Sequence, residues 1–339
     1  MNKPQEQQLI GESQAILEVL EHVSKVAPLN RPVLVIGERG TGKELIAARI
    51  HYLSGRWDRP FVKLNCAALT ESLLESELFG HEAGSFTGAT RRRLGRFELA
   101  NQGSLFLDEL SSTSDRVQEK ILRVIEYGEL ERVGGNETVQ TSVRIIGATN
   151  EDLPALVEHG KFRADLLDRL AFDVITLPPL RERRDDIMPM AQHFAVKMSG
   201  ELGLELFPGF SPEAREQLLE YPWPGNVREL KNVVERAVYV LAGADQPIGA
   251  VVFDPFRSPW RPRMQASDSP AYESHALPEE PYDFKDHMQQ LEIDLLRSAL
   301  KQCRYNQKKT AEFLGMTYHQ LRGYLRKYNL TENENSAET

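Results

Sequence analysis

The sequence predicts an α/β fold, a parallel sheet with helices on both faces and a small helical lid, followed by a linker and a second, helical module. Three observations carry this. Short apolar runs alternate with helical patterns up to residue 180, the strand signal stops after Pro178-Pro179, and a proline-rich stretch then precedes a basic tail. At 339 residues the chain exceeds what one hydrophobic core usually holds. Its 41% hydrophobic and 27% charged residues exclude a disordered, collagenous or disulfide-stapled chain.

The strand candidates are 32–37, 61–65, 104–108, 143–148 and 172–177, short and rich in branched apolar residues, as buried parallel strands are. Helical patterns at 43–53, 70–78 and 115–127 separate them, and those at 185–199, 211–220 and 226–241 supply the lid. Residues 257–283 hold Pro259, Pro262, Pro270, Pro278 and Pro281 without periodicity, the composition of an extended linker. The expected divisions are 1–180 for the sheet subdomain, 181–256 for the lid, 257–283 for the linker, 284–330 for the tail module and 331–339 for a disordered end.

No apolar run approaches the roughly 20 residues needed to cross a bilayer, and the first eight residues lack the apolar core of a signal peptide. Membrane insertion and secretion are not expected. Cys66 and Cys303, the two cysteines, stand far apart, which fits a reducing cytoplasm and leaves no ligand set for a structural zinc. The net charge of −9 hides an asymmetry: residues 301–328 carry seven Lys and Arg against Glu312 alone, leaving −15 for the rest. An acidic body with a basic end assigns contact with phosphate backbones to one module.

Gly37-Glu38-Arg39-Gly40-Thr41-Gly42-Lys43 follows the first strand and opens a helix. Glycines let such a loop wrap a phosphate with its N–H groups, the helix N-terminus adds positive potential, and Lys43 reaches the outer phosphates. Glu44 stands where such loops usually place a Ser or Thr for magnesium, so metal ligation falls to another carboxylate. Ser104-Leu-Phe-Leu-Asp108-Glu109 supplies one: two acids at the C-terminal end of an apolar strand, the edge where open α/β sheets bind ligands. Asp108 is the expected magnesium partner, and Glu109 the group that orients or deprotonates a water aimed at the γ-phosphate of ATP.

The paired motifs and the lid after them resemble the AAA+ P-loop ATPases. Glu44 and Gly84-Ser85-Phe86-Thr87-Gly88-Ala89, preceded by Glu77-Leu-Phe-Gly-His-Glu82, are similar to one branch, the bacterial enhancer-binding proteins that activate RNA polymerase containing sigma-54. The resemblance spans about residues 8–255 and resumes in the tail. It implies that the loop 84–89 contacts sigma-54, with Ser85 in place of the usual Ala. It also implies that Asn65 restrains Glu109, that Thr149 and Asn150 sense the γ-phosphate, and that Arg228 of Trp223-Pro-Gly-Asn-Val-Arg228-Glu-Leu senses nucleotide from the lid. Arg163 and Arg169 match arginines that enter a neighbour's site, although on their own they read as surface charges beside Asp165 and Asp168. A finger acting on a neighbour implies a ring, expected as a hexamer.

In the tail, a helix over 286–302 precedes a short helix from Asn306, a turn at Gly315, and a second helix from the Thr317 cap to Tyr328. Leu321 and Leu325 point inward and His319, Gln320, Arg322, Arg326 and Lys327 outward, the pattern of a helix-turn-helix. A three-helix protein-binding tail is the alternative; the basic excess and the family's Fis-like C-terminus favour double-stranded enhancer DNA. No receiver domain precedes residue 8, so the expected control is a separate inhibitory regulator protein, as in the phage-shock branch of the family. Trp57, a large ring in a polar loop, is a candidate for its docking patch, packing against the domain being the plainer reading. The sequence thus points to a cytoplasmic ATPase that remodels the sigma-54 polymerase. A passive nucleotide-sensing DNA-binding regulator and a AAA+ unfoldase are the alternatives. The first would need neither the Phe-Thr pair nor Glu109, and the second no helix-turn-helix.

Overall fold

The computed structural model of the chain describes residues 9–86, 89–241, 246–257, 260–261, 283–303, 305–328 and 330. Strands β1 (Val33–Ile36), β2 (Phe61–Asn65), β3 (Ser104–Asp108), β4 (Arg144–Thr149) and β5 (Val174–Thr176) form one sheet in the order β2-β3-β4-β1-β5. Every neighbouring pair is parallel. All five occupy the expected runs: β2 and β3 match them residue for residue, β4 lies one residue further on, and β1 and β5 are shorter by one to two residues at their ends.

Alternation along the strands sorts the core into two faces. Leu105 and Leu107 join Leu64, Leu78, Phe97 and Ile121 in one cluster, while Phe106 joins Val33, Val35, Ile46 and Ile146 in another. Each such side chain, fully withdrawn from water, contributes roughly 1.5–3 kcal/mol. Helices Lys43–Tyr52, Glu71–Phe79 and Asp115–Tyr127 match the expected patterns. Helix Gln14–Val26 is an addition whose Ile16, Val19, Val23 and Val26 carry a helical spacing that the strand-centred reading passed over. Two antiparallel ribbons, Gly80–His81 with Arg93–Leu94 and Glu129–Glu131 with Thr138–Gln140, stand outside the sheet. Strands this short have no period to read.

Buried polar groups tie the layers together. Arg144 donates to the carbonyls of Val26, Ala27 and Arg31 at 3.1, 2.6 and 2.9 Å, closing the C-terminal end of the first helix. Burial, with some repulsion from Arg56, pulls its pKa down to about 10. At the other end Asp186 accepts from the Glu12 and Ser13 N–H groups at 2.6 and 2.7 Å and from the Ser13 hydroxyl at 2.8 Å. The lid helices Ile187–Glu201, Pro212–Glu220 and Asn226–Val240 pack around a fully buried Trp223, whose indole donates to the Leu218 carbonyl at 2.9 Å.

The chain divides into units 1–257 and 258–339. In the second, helices Phe284–Gln302, Gln307–Phe313 and Tyr318–Lys327 enclose Leu296, Leu300, Ala311, Leu321 and Leu325. Asn306 and Thr317 cap the two shorter helices, Thr317 in a reciprocal box with Gln320, and Gly315 makes the turn between them at φ +64°. Residues 262–282 and 331–339, read as linker and tail end, lie outside the described residues.

Candidate nucleotide site and contact surfaces

β1 ends at Ile36 and the chain must reverse into the Lys43–Tyr52 helix within six residues, which Gly40 and Gly42 permit at φ +79° and +105°. Lys43 folds its ammonium group back into this loop, donating to the carbonyls of Gly37 and Glu38 at 2.8 and 3.3 Å. Burial pulls its pKa down while the charges of Glu109 and Asp108 oppose the shift.

β3 delivers Asp108 and Glu109 to the same cleft, of about 630 Å³. Glu109 sits at φ +52°, a left-handed conformation that costs a non-glycine residue roughly 1–3 kcal/mol. With its amide nitrogen turned to the carboxylate, the orientation that satisfies both groups, Asn150 donates to Glu109 Oε2 and Oε1 at 2.6 and 3.3 Å. Arg39 Nε lies 3.8 Å from Glu109 Oε1. Asn65 donates to Asp108 Oδ2 at 3.3 Å, so the amide that faces Glu109 here belongs to Asn150 and that of Asn65 to the neighbouring acid.

Of the expected nucleotide residues, Arg39 to Glu44, Asp108, Glu109 and Arg228 line the cleft together. Thr149 is fully buried and donates to Ser111 at 3.0 Å, while Glu44 accepts from Lys63 at 2.9 Å. Arg163 pairs with Asp165 at 2.7 Å, and Arg169 with Glu126 at 2.8 Å rather than Asp168. Neither arginine lines this chain's own cleft. Leu9, Ile10, Leu177, Met190, His193 and Phe194 do line it and were not expected. They come from three separate stretches of chain, and no local pattern announces an apolar wall that tertiary folding assembles.

The loop after ribbon Gly80–His81 is held by its backbone: Gly84 N–H donates to the Ala89 carbonyl at 2.7 Å and Ala89 N–H to the Phe86 carbonyl at 3.0 Å. Phe86 is 43% exposed and packs edge-on against His81, an aromatic partner that the expected free tip lacked. Thr87 and Gly88 lie outside the described residues. The base of the loop is braced by Arg132, almost fully buried, which pairs with Glu98 at 2.5 Å and Glu82 at 3.2 Å.

On the last helix His319, Arg322 and Arg326 are exposed. Gln320 is committed to the Thr317 cap, and Lys327 approaches Tyr328 Oη at 2.5 Å and Glu292 at 3.6 Å. Trp57 is 64% exposed. Among the described residues no helix is long and apolar enough to cross a membrane.

The sequence matches three family models in succession: the sigma-54 interaction domain over residues 9–176, the AAA+ ATPase lid domain over 181–254, and the Fis family of bacterial regulatory proteins over 288–328. It is 59% identical over 323 residues to the Psp operon transcriptional activator of Escherichia coli K12, covering 95% of this chain and 98% of that one. It is 42% identical to the regulatory protein AtoC of the same organism, over 95% of this chain and 68% of the other. The crystal structure of NtrX from Brucella abortus in complex with ATP superposes with a TM-score of 0.67 at 32% identity, over 95% of this chain and 70% of that one. These relatives do not support a passive nucleotide-sensing regulator. The chain belongs to the sigma-54-dependent transcription activators, with an ATP-binding AAA+ ATPase domain and its lid followed by a Fis-type DNA-binding helix-turn-helix.

Proposed function

We propose that this activator holds the sigma-54 polymerase promoter complex with its loop 84–89 and opens it by hydrolysing ATP in a hexameric ring, thereby activating the phage-shock operon. The observation that carries the chemistry is the convergence of Lys43, Asp108, Glu109 and Arg228 on one cleft. The loop from Gly37 to Gly42 offers N–H groups to the phosphates, and Lys43 exchanges its carbonyl partners for phosphate oxygens. Glu109 takes the proton of the attacking water while Asn150, and Asn65 through Asp108, set the two carboxylates. Thr149 and Asn150, at the end of β4, sense the γ-phosphate, the buried Thr149 being held by its bond to Ser111.

Magnesium fits this donor set. Asp108 presents a carboxylate at the cleft, the hard oxygen ligand that magnesium takes beside phosphate. Bound there, the ion would neutralise charge on the β- and γ-phosphate oxygens.

Arg163 and Arg169 complete the site of an adjacent subunit, consistent with neither lining the cleft of its own chain. The loop of Gly84, Ser85, Phe86, Thr87, Gly88 and Ala89 contacts sigma-54, with Phe86 and Thr87 as its central pair. In the tail Thr317, His319, Gln320, Arg322, Arg326 and Lys327 meet enhancer DNA in the cytoplasm, and Trp57 belongs to the patch on which an inhibitory protein of the phage-shock system docks. Support for the operon is the 59% identity to the Psp activator over nearly its whole length. The test supplies sigma-54 polymerase, a supercoiled phage-shock promoter, and ATP or a nonhydrolysable analogue. Open complexes with ATP alone are expected; opening with the analogue would contradict the reading.

A further inference from the structure

Asn226 opens the Asn226–Val240 helix of the lid, fully buried and at φ +53°, a left-handed conformation that asparagine adopts more readily than most residues. Both ends of its amide are used. Oδ1 accepts the Leu180 N–H at 2.8 Å, while Nδ2 donates to Glu38 Oε2 at 3.0 Å and to the Arg39 carbonyl at 3.1 Å. The next residue continues the pattern, Val227 N–H donating to the Gly40 carbonyl at 3.0 Å. Two successive lid residues thus hold Glu38, Arg39 and Gly40 in turn. The fit is tight, since a Cβ on Gly40 would meet the Gly225 carbonyl oxygen at 2.3 Å. Arg181 adds a two-pronged pair to Glu38 at 2.6 and 3.0 Å. Its guanidinium, with the Asn226 amide, holds the Glu38 carboxyl below the usual carboxylate range.

A trans peptide unit points its C=O and N–H in opposite directions. Drawing the Arg39 carbonyl toward the lid turns the Gly40 N–H away from it, and drawing the Gly40 carbonyl does the same for Thr41. The Thr41 N–H has only the Glu38 carbonyl, at a long 3.4 Å. Such loop N–H groups are what grip a phosphate. Asn226 itself does not line the cleft.

We propose that Asn226 is a positioning residue for nucleotide binding: its amide clamps the lid side of the phosphate loop, so that the loop's N–H groups face the phosphates and lid position is coupled to nucleotide occupancy. Arg228 reaches the cleft from the same helix turn, whereas Asn226 acts through the loop. The inference rests on reading Gly37 to Lys43 as the phosphate loop.

Two substitutions in the full chain separate the clamp from a merely structural role. Asn226→Gly keeps the left-handed backbone and deletes the amide, and Asn226→Asp keeps the acceptor for Leu180 while removing the donor. Binding of a fluorescent N-methylanthraniloyl ATP is titrated beside steady-state ATPase and melting without nucleotide, with Lys43→Ala as comparator. Loss of the donor raises Kd and KM by about tenfold in both variants, leaves kcat within about threefold, and shrinks the stabilisation that ATP confers on melting. Asn226→Asp binding the probe as the parent does, while Lys43→Ala does not, would overturn the clamp alone. A fall in kcat at unchanged Kd would overturn it as well. Undiminished binding by Lys43→Ala would remove the phosphate-loop reading and the clamp with it.

Discussion

The nucleotide cleft and the Phe86 loop are built on opposite plans. In the cleft the charged groups are held before any ligand is considered: Lys43 by two carbonyls, Glu109 by Asn150 and a strained backbone, Asp108 by Asn65. In the loop two backbone hydrogen bonds close the stem, Phe86 is half exposed, and the firm ion pairs of Arg132 stop at its base. Phosphate chemistry gains from groups fixed in advance. A contact that must be made in one nucleotide state and released in another gains from a side chain that is cheap to move.

Substitutions should divide along this line. Lys43→Ala loses measurable ATP binding, and Glu109→Gln binds ATP but hydrolyses it roughly 10²–10⁴ times more slowly; an equilibrium titration beside a phosphate-release assay distinguishes them. Arg163→Ala or Arg169→Ala lowers hydrolysis by roughly tenfold or more without altering the melting curve, since each gives up only one surface ion pair on its own chain. Mixing either with Glu109→Gln protein restores part of the rate, because finger and acid come from different chains. No rescue at any ratio would break the ring.

A chain ending at Arg257 keeps its ATPase within about twofold, since the tail unit begins beyond it and contributes only local concentration near the promoter. The smallest effect concerns Cys66, buried beside the acidic pair. Burial, aided by Asp108 and Glu109, pushes its thiol up to about 12. An unfolded thiol ionises near ~8.5, so this site stabilises the fold fully below that pH and loses its contribution as pH rises toward 12. Thiol titration at neutral pH should therefore label Cys303 first and Cys66 only on unfolding.

The same contrast governs what could be read in the sequence. β1, β3 and the loop between Gly37 and Lys43 were legible because branched apolar runs, glycines and adjacent acids are local signals. Helix Asn226–Val240 was legible too, down to Arg228 in its first turn. The partner exchange between Asn65 and Asn150 was not, since it depends on how two parallel strand ends register: Asn65 lies opposite Asp108 in the ladder, while Asn150 follows the end of β4. Arg132 gave no signal at all, because its value lies in meeting Glu82 and Glu98 from distant segments. His81 under Phe86 is of the same kind, a contact made by a ribbon too short to predict.

The central claim is that hydrolysis and its output reside in separate regions, and Thr87→Ala tests it most directly. ATPase and promoter opening are measured on the same preparation, together with co-migration with sigma-54 in ADP and aluminium fluoride. The account predicts hydrolysis close to the parent's, no open complex and no trapped sigma-54, with Ser85→Ala normal in all three. Trapping and opening by Thr87→Ala as efficient as the parent's, or ATPase that collapses along with them, would contradict it.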